Sequence, residues 1–353
     1  MKTQSLLTIT LLFLVCLVTA LPSQAQGNGS DNIVPDSSSP GLAGDDYDYG
    51  FYDQGSDFLD DVNYRGDPVD LTSGNWGRVD MTNGNWRIGD IDIADSLCGD
   101  PLVFTRTYNS KSPRIRSFGH GWAHNFDLHL ITNDDGSITQ VDEKGRAIFY
   151  RRKKNAYIAP PGLSSVLSKE PDGSFLLRRE NDDLLYFSAQ GRFTSMTDRN
   201  GNAIDLEYDE QGWLQRITYP DDCALTFTHT PTGKLATLRD PENRLVQYVY
   251  DSEEHLIEVI NPEGQQLQYA YDDKHLLVSL LDDENEAYQF TYSWDRKMTR
   301  IVLPNGNIQQ FMYPTFLGLF PSTKTIFIDE DGSKQTYHHK NRKITRTTDL
   351  GGN

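Results

Sequence analysis

The chain has 353 residues, with 33 basic against 51 acidic side chains and a formal net charge of −18. This balance argues against a nucleic-acid binder, because phosphate contacts need clustered Lys and Arg. No long apolar run follows the first 25 residues, which excludes a protein with several membrane spans, and a hydrophobic share of 37% disfavours a large compact enzyme core. The 18 Tyr and 16 Phe in so polar a chain favour strands with one face in water.

The first 25 residues have the pattern of a secretory signal peptide. Lys2 supplies a positive start, residues 6–21 form an apolar stretch, and small residues precede a cleavage point near Ala25. A membrane anchor is the alternative, but the apolar run is short and no stop-transfer charge cluster follows it. We therefore expect a secreted protein, extracellular or at the cell surface, with no stable membrane insertion after cleavage.

Residues 26–66 form the next segment, which contains nine Asp and a single basic residue, Arg65. So acidic a stretch buries too little apolar surface to offset the entropy of ordering. It is predicted to be a disordered acidic linker. Two alternatives are a weak docking motif in the Tyr-rich residues 47–53 and an acidic tract that binds calcium.

Two cysteines, Cys98 and Cys223, remain after removal of the signal peptide. Export permits a disulfide between them, but their separation in sequence carries no information about distance in space. Pairing and two buried free thiols therefore both stay open.

The second half of the chain repeats every 21 residues. The repeat begins at an aromatic position that is Tyr in most units, and the next residue is a short polar one that can start a turn. The aromatic positions are Phe187, Tyr208, His229, Tyr250, Tyr271, Tyr292 and Tyr313. The turn-starting positions are Ser188, Asp209, Thr230, Asp251, Asp272 and Ser293.

Each unit also contains apolar positions with strand periodicity. A column of Leu-like residues follows each turn, and the unit closes with alternating apolar residues, which is one face of a β-strand. The column is Phe193, Leu214, Leu235, Leu256, Leu277 and Met298. Each unit is therefore predicted to be a hairpin of two short strands and two tight turns.

Two columns of turn residues carry predictions about the backbone. In the first turn, Gly191, Gly212 and Gly233 are followed in later units by Glu254, His275 and Arg296. We expect only the three glycines to adopt positive φ, so that Gly212→Val would cost more stability than Glu254→Val. In the second turn all six residues tolerate the left-handed conformation. These are Gly201, Asp222, Asn243, Gly264, Asn285 and Gly306.

These patterns predict an all-β fold, a curved antiparallel sheet of stacked hairpins of about 21 residues that bury a shared aromatic face. Pro and Gly in the repeats exclude a continuous helix. The predicted domains are a signal peptide at 1–25, the linker at 26–66, a β domain at 67–186 and the repeat array at 187–353.

The repeat resembles the YD repeat of Rhs proteins. Residues 208–217 carry its pattern, Tyr-Asp-x-x-Gly-x-Leu-x-x-Ile, almost whole, and residues 66–75, 101–110 and 118–124 resemble hallmarks of the domain that opens many Rhs and wall-associated proteins. The resemblance marks these motif residues: Asp67, Pro68, Gly74, Asn75, Arg106, Tyr108, Gly119, Gly121, Trp122 and His124.

The resemblance implies a β-sheet spiral that closes into a hollow shell, commonly around a C-terminal toxin. The Asp-Pro-x-Gly element at which such toxins are released is absent from the sequence, and no toxin domain follows the repeats. We therefore expect a truncated or split family member. If the array ends near residue 350, its last strand would present unpaired backbone groups, which favours a partner chain or self-association.

The functional prediction is a secreted, non-catalytic β-shell module, a scaffold or encapsulating wall in a toxin-delivery or cell-surface system. The alternative is an adhesion module that binds carbohydrate or a cell surface, and a hydrolase using scattered acids is the third hypothesis. Expected partners are a continuation chain or toxin cargo and a cell-surface glycan, without nucleic acid and without a cofactor.

Candidate catalytic or metal-binding residues are few. His120 and His124 are four apart, a spacing that suits a metal on a helix, but Gly119 and Gly121 argue against a helix there. We interpret the two histidines as structural. No catalytic or metal site is predicted from the sequence.

Overall fold

The computed structural model describes residues 77–95, 102–112, 114–143, 147–314, 322–340 and 343–349. The predicted signal peptide, the acidic linker, Cys98 and the motif residues Asp67, Pro68, Gly74 and Asn75 lie outside them. All described residues belong to one compact unit, Gly44–Asn353. Within the described residues, every element is a β-strand apart from one turn of 3-10 helix at Pro220–Asp222. Within these ranges, no helix has the length and apolar character that a membrane crossing needs.

The amino-terminal part of the described chain forms three small sheets. Strands β1, β2, β3 and β6 make one four-stranded antiparallel sheet, here called the N-terminal sheet, and β4 pairs with β5 in a short hairpin. Strands β7 to β10 form a second four-stranded sheet. The bounds are β1 Arg78–Val79, β2 Trp86–Asp95, β3 Leu102–Asn109, β4 Ile115–Arg116, β5 Gly119–His120, β6 Trp122–His124, β7 His129–Thr132, β8 Ile138–Val141, β9 Ala147–Lys153 and β10 Ala156–Ile158.

The rest of the chain is one 18-stranded antiparallel sheet, here called the array, in which the strands lie in sequence order. It starts at Val166, upstream of residue 187, so the predicted domain boundary at 186/187 falls inside a continuous sheet. The bounds are β11 Val166–Lys169, β12 Phe175–Arg178, β13 Leu184–Phe187, β14 Phe193–Thr197, β15 Ala203–Tyr208, β16 Leu214–Thr218, β17 Ala224–His229, β18 Leu235–Arg239, β19 Leu245–Tyr250, β20 Leu256–Ile260, β21 Gln266–Tyr271, β22 Leu277–Leu281, β23 Ala287–Tyr292, β24 Met298–Val302, β25 Ile308–Met312, β26 Lys324–Ile328, β27 Lys334–Lys340 and β28 Lys343–Asp349.

The predicted hairpin repeat is confirmed strand by strand. Each 21-residue unit supplies two strands, and the register shifts at the aromatic position in unit after unit, as between Glu207 and Tyr208 or between Val249 and Tyr250. Such a shift is a β-bulge, which places two residues of one strand opposite one residue of its neighbour. The repeat in the sequence is therefore a repeat of bulged hairpins.

One face of the array carries the apolar positions. Cross-strand partners such as Leu206 and Ile217, or Phe227 and Leu238, are buried, while their neighbours in sequence point to the other face. The column after the first turn is also buried, with Leu235, Leu256 and Leu277 fully enclosed. Period-two alternation thus separates a solvated face from a core face, as the sequence predicts.

The expectation for the first turn is wrong. Glu254, His275 and Arg296 have φ of 65°, 60° and 63°, so they are as left-handed as Gly191, Gly212 and Gly233. The bulged register requires this conformation of the fourth turn residue in every unit, whichever side chain is present. The non-glycine residues accept a backbone cost of about 1 kcal/mol that glycine avoids. For the second turn the prediction is confirmed, since all six residues have positive φ.

Cys223 lies between the 3-10 turn and β17, and it is disulfide-bonded. A buried free thiol at this position is therefore excluded. The sulfur that pairs with it lies outside the described residues.

Candidate functional site

The N-terminal sheet packs across the core face of the array. Three of its aromatic side chains, together with Phe118 in the turn between β4 and β5, each meet a buried aromatic residue in one of four successive hairpins. The pairs, with distances between ring centroids, are Phe104 with Phe227 at 5.3 Å, Phe118 with Tyr248 at 4.8 Å, Trp122 with Tyr269 at 5.1 Å and Trp86 with Phe290 at 4.1 Å. These rings belong to one continuous hydrophobic core.

Backbone amides of the array hold the same contact. The N–H of Leu235 donates to the carbonyl of Ser117 at 2.8 Å, and the N–H of Met298 donates to the carbonyl of Gly84 at 2.9 Å. Between these two bonds, the N–H of Leu277 donates to the Tyr108 hydroxyl at 3.0 Å. All three donors follow a bulged turn, where the ladder leaves a backbone group without its usual partner. The amino-terminal segment, which is the part of the chain before the array, therefore supplies the missing acceptors.

The tyrosine of the repeat satisfies the carbonyl at the same place. In five units its hydroxyl donates to the backbone carbonyl of the residue fifteen positions earlier, which belongs to the Leu-like column of the preceding unit. The bonds are Tyr208 to Phe193 at 2.6 Å, Tyr250 to Leu235 at 2.7 Å, Tyr271 to Leu256 at 2.7 Å, Tyr292 to Leu277 at 2.8 Å and Tyr313 to Met298 at 2.7 Å. Burial raises the pKa of Tyr250, Tyr271 and Tyr292, which keeps these hydroxyls protonated donors.

The aspartate of the repeat starts the turn. Oδ1 of Asp209 accepts from the N–H groups of Gln211 at 3.0 Å and Trp213 at 2.8 Å, which is an Asx turn. Asp251 and Asp272 make the same pair of bonds in their units. Tyr and Asp of the repeat thus bond to the backbone of the array.

A buried ionic cluster lies where the N-terminal sheet meets the middle of the array. Arg106, 1% exposed, forms ion pairs with Asp92 and with Asp90, the latter at 2.5 Å, and donates to the Tyr269 hydroxyl at 3.1 Å. The Tyr248 hydroxyl donates to Asp92 at 2.7 Å. Burial raises the pKa of both tyrosines. A buried charge needs paired partners of this kind, so the cluster fixes the register of the two layers.

The other motif residues implied by the resemblance lie in the same contact. Gly119 and Gly121 have φ of 87° and 75°, and a Cβ on Gly119 would collide with the carbonyl oxygen of Glu254. The Trp122 indole N–H donates to the Tyr271 hydroxyl at 2.8 Å. His124 is 5% exposed and accepts from the N–H of Phe126 at 3.2 Å, and burial lowers its pKa to about 4. The structure thus gives these four residues packing and backbone contacts.

The structure brings His120 to two histidines that the sequence analysis did not select. His255 and His275 lie in successive turns of the array, and the ligand nitrogens of the three side chains are all within 4.8 Å of one another. His124 is not part of this group. The repeat could have placed His255 beside His275, because residues 20 apart in a 21-residue repeat must lie on adjacent turns. The contribution of His120 required the docking of the N-terminal sheet, which the sequence spacing did not predict.

A cleft of about 520 Å³ opens beside the buried cluster, between the N-terminal sheet and the second turns of the array. Its walls combine aromatic and acidic side chains, among them Trp122, Tyr288, Asp282 and Glu286.

Comparison with known proteins places both parts of the chain. The family described as Teneurin YD-shell matches residues 184–346, and the domain of unknown function DUF6531 matches residues 66–150. The fold and the matches define the array as a YD-repeat shell module. With its opening domain and repeats in this order, the chain belongs to the Rhs/YD-repeat family.

Individual relatives match only part of their own length. The chain is 23% identical over 164 residues to the tRNA nuclease WapA of Bacillus subtilis, which covers 46% of this chain and 7% of that protein. It is 28% identical over 171 residues to the probable deoxyribonuclease RhsB of Dickeya dadantii, covering 46% and 11%. A Photorhabdus luminescens Tc holotoxin pore structure is 15% identical over 77% of this chain and 16% of that chain, with a TM-score of 0.34.

Proposed function

We propose that the chain is a secreted, non-catalytic shell module that serves as scaffold or enclosing wall in a toxin-delivery or cell-surface system. The observation that carries this proposal is that the polar residues of the repeat form hydrogen bonds within the array. The tyrosine hydroxyls and the turn aspartates bond to the backbone of the array itself. A wall needs residues that stabilise repeated strands, and this arrangement provides them in unit after unit.

The buried ionic cluster supports the same function. Arg106 is enclosed by Asp90, Asp92 and two tyrosines. Its charge is paired with these two carboxylates, and its bond to Tyr269 joins the N-terminal sheet to the array. A guanidinium that bound an external phosphate or carboxylate would have to be reached by solvent. The relatives WapA and RhsB are named as nucleases, and we infer that in this chain the matched segment supplies structure and no nuclease activity.

The enclosing role is tested by protection of a fused cargo. A small, protease-sensitive reporter joined after the array should survive limited proteolysis several times longer than the same reporter mixed with the full chain in trans. Equal half-lives in the two samples would contradict the enclosing role.

Incubation of the full chain with tRNA and with DNA should leave both intact, and cleavage would contradict the non-catalytic assignment.

Carbohydrate binding is the second candidate, and the cleft beside the ionic cluster favours it. The almost fully buried Tyr288 and Trp122 line it, while Asp282 and Glu286 offer hydrogen-bond acceptors. A glycan array probed with the full chain separates the two functions. Retention of one glycan class, lost on Glu286→Gln but kept in a variant on the solvated face such as Glu207→Gln, would establish adhesion, whereas an array without specific signal supports the wall.

A further inference from the structure

Three imidazoles from separate elements meet at the edge of the docked layers. His120 lies on β5, His255 in the turn between β19 and β20, and His275 in the turn between β21 and β22. The ligand nitrogens are all within 4.8 Å of one another, and His255 is 3% exposed while the other two are half-buried. Imidazole nitrogens are the donors that zinc and its neighbours in the first transition row prefer.

The hydrogen bonds behind these rings orient them as in a metal site. The Nδ1–H of His255 donates to Oδ2 of Asp251 at 2.8 Å, which leaves the Nε2 lone pair facing Nδ1 of His275, also at 2.8 Å. His120 donates a ring N–H to the backbone carbonyl of Glu253. Histidines that bind metals use a carboxylate or a backbone carbonyl in this way to fix the tautomer and the ring.

The surrounding charge favours a cation. Asp251 stands behind His255, and Oε2 of Glu253 is 4.0 Å from Nδ1 of His275. Glu254 carries a further carboxylate in the same turn, where it pairs with Lys234 at 3.0 Å. Glu253 is largely exposed, so its side chain can turn inwards and complete a four-coordinate site.

We propose that His120, His255 and His275 form a binding site for a divalent transition metal of the zinc class. The ion would join β5 of the amino-terminal segment to two consecutive turns of the array. It therefore acts as a clamp between the two layers, and it stands independently of the function proposed for the shell.

Binding requires small side-chain movements that the site permits. With zinc–nitrogen bonds of about 2.05 Å, ligand nitrogens in a tetrahedral site lie roughly 3.3 Å apart. His255 and His275 must then separate slightly from their 2.8 Å contact, and the proton on Nδ1 of His275 moves through solvent to Nε2 of the same ring. The ring of His120, now stacked on His275 at 4.1 Å, must tilt to direct a nitrogen at the ion. Both His120 and His275 are partly exposed and have room to turn.

The direct test is metal titration of the full chain near neutral pH. We expect one equivalent of Zn²⁺ to bind in competition with a chromophoric chelator and to raise the melting temperature. Co²⁺ in the same site should give the intense visible bands of four-coordinate geometry. A chain that takes up no Zn²⁺ and shows only the pale spectrum of hydrated Co²⁺ would overturn the proposal.

Matched variants locate the site. His275→Asn keeps a residue that tolerates the left-handed backbone of the turn. This variant and His120→Asn, each made alone, should abolish the Co²⁺ bands. His338→Asn, in β27 and outside the group, is the control and should leave the bands unchanged. Uptake that persists in both test variants, or that is lost equally in the control, would contradict the assignment.

Asp251→Asn tests the orienting bond without removing a ligand. Asparagine can still accept from the turn amides, as Asn261 does in the second turn of the same unit. Its amide can no longer hold the proton on Nδ1 of His255, so we expect Zn²⁺ affinity to fall about 10–100-fold while the melting temperature without metal changes little. An unchanged affinity would show that Asp251 does not orient the ligand.

Discussion

At the scale of single residues, the repeat supplies hydrogen-bond partners for backbone groups that the strands leave unpaired. The bulge in each hairpin leaves a carbonyl and an N–H that the ladder does not pair. The tyrosine hydroxyl of the following unit takes the carbonyl, as Tyr292 does for Leu277, and the amino-terminal segment takes the N–H, as Tyr108 does for the same residue. Buried backbone groups left without partners are costly, which gives the motif a physical reason for its tyrosine.

The left-handed turn residues give a prediction at this scale. Arg296→Gly should stabilise the protein by about 0.5–1 kcal/mol, because glycine adopts φ near 63° without the steric cost that arginine bears. Denaturant unfolding measures the difference. Arg300→Gly is the matched control, since Arg300 lies inside β24, where glycine should destabilise by a similar amount. The same sign for both variants would contradict the turn assignment.

At the scale of elements, one hairpin is the unit of stability, and its tyrosine joins it to the preceding one. Tyr250→Phe removes the hydroxyl that bonds the carbonyl of the fully buried Leu235. We expect a loss of about 1–3 kcal/mol in the free energy of unfolding, because that carbonyl is left without its donor. Tyr186→Phe, at a 37% exposed position, should change the free energy of unfolding by less than about 0.5 kcal/mol. Equal losses in the two variants would show that the column does not join the units.

The unit with histidine at the tyrosine position allows the reverse experiment. His229 occupies the column, and its ring lies at a tilt to that of Trp213, with the ring centroids 5.5 Å apart. His229→Tyr places a hydroxyl within the geometry that the other units use to reach the residue fifteen positions earlier, here Leu214. We expect a gain of about 1 kcal/mol in thermal or denaturant unfolding. A destabilised variant would indicate that this unit departs from the others at the bulge.

The hairpins and their packing face were predictable from the sequence. The 21-residue spacing and the alternation of apolar residues in positions such as Leu225 and Phe227 predicted the hairpins and their core face. The left-handed Glu254, His275 and Arg296 were missed because propensity is a local property, whereas the bulged register imposes the conformation on whichever residue is there. The histidine group was missed because His120 reaches it through tertiary docking.

At the scale of the whole molecule, burial makes stability depend on pH. Burial lowers the pKa of His124 to about 4 in the folded chain, against about 6.5 when unfolded, so the unfolded state binds the proton more tightly. Its stabilising contribution is complete above about pH 6.5 and declines as the pH falls towards 4. The decline is at most about 3 kcal/mol. His129, whose pKa burial also lowers to about 4, adds in the same direction.

Unfolding measured across this range checks the prediction. His124→Gln keeps an acceptor for the N–H of Phe126 and does not titrate, so its stability should fall less steeply between pH 6.5 and 4 than that of the parent chain. His338→Gln serves as control and should retain the parent's slope. An unchanged slope in the His124 variant would contradict the buried, neutral imidazole.

The docking of the N-terminal sheet along the array is the claim on which the other conclusions depend. Hydrogen exchange at single amides tests it most directly. The N–H groups of Leu235, Leu277 and Met298 should exchange as slowly as amides inside the strands, because they donate to Ser117, Tyr108 and Gly84. Tyr108→Phe should then expose the Leu277 amide selectively. Exchange of all three amides at the rate of the solvated turns would show that the amino-terminal segment does not lie on the array.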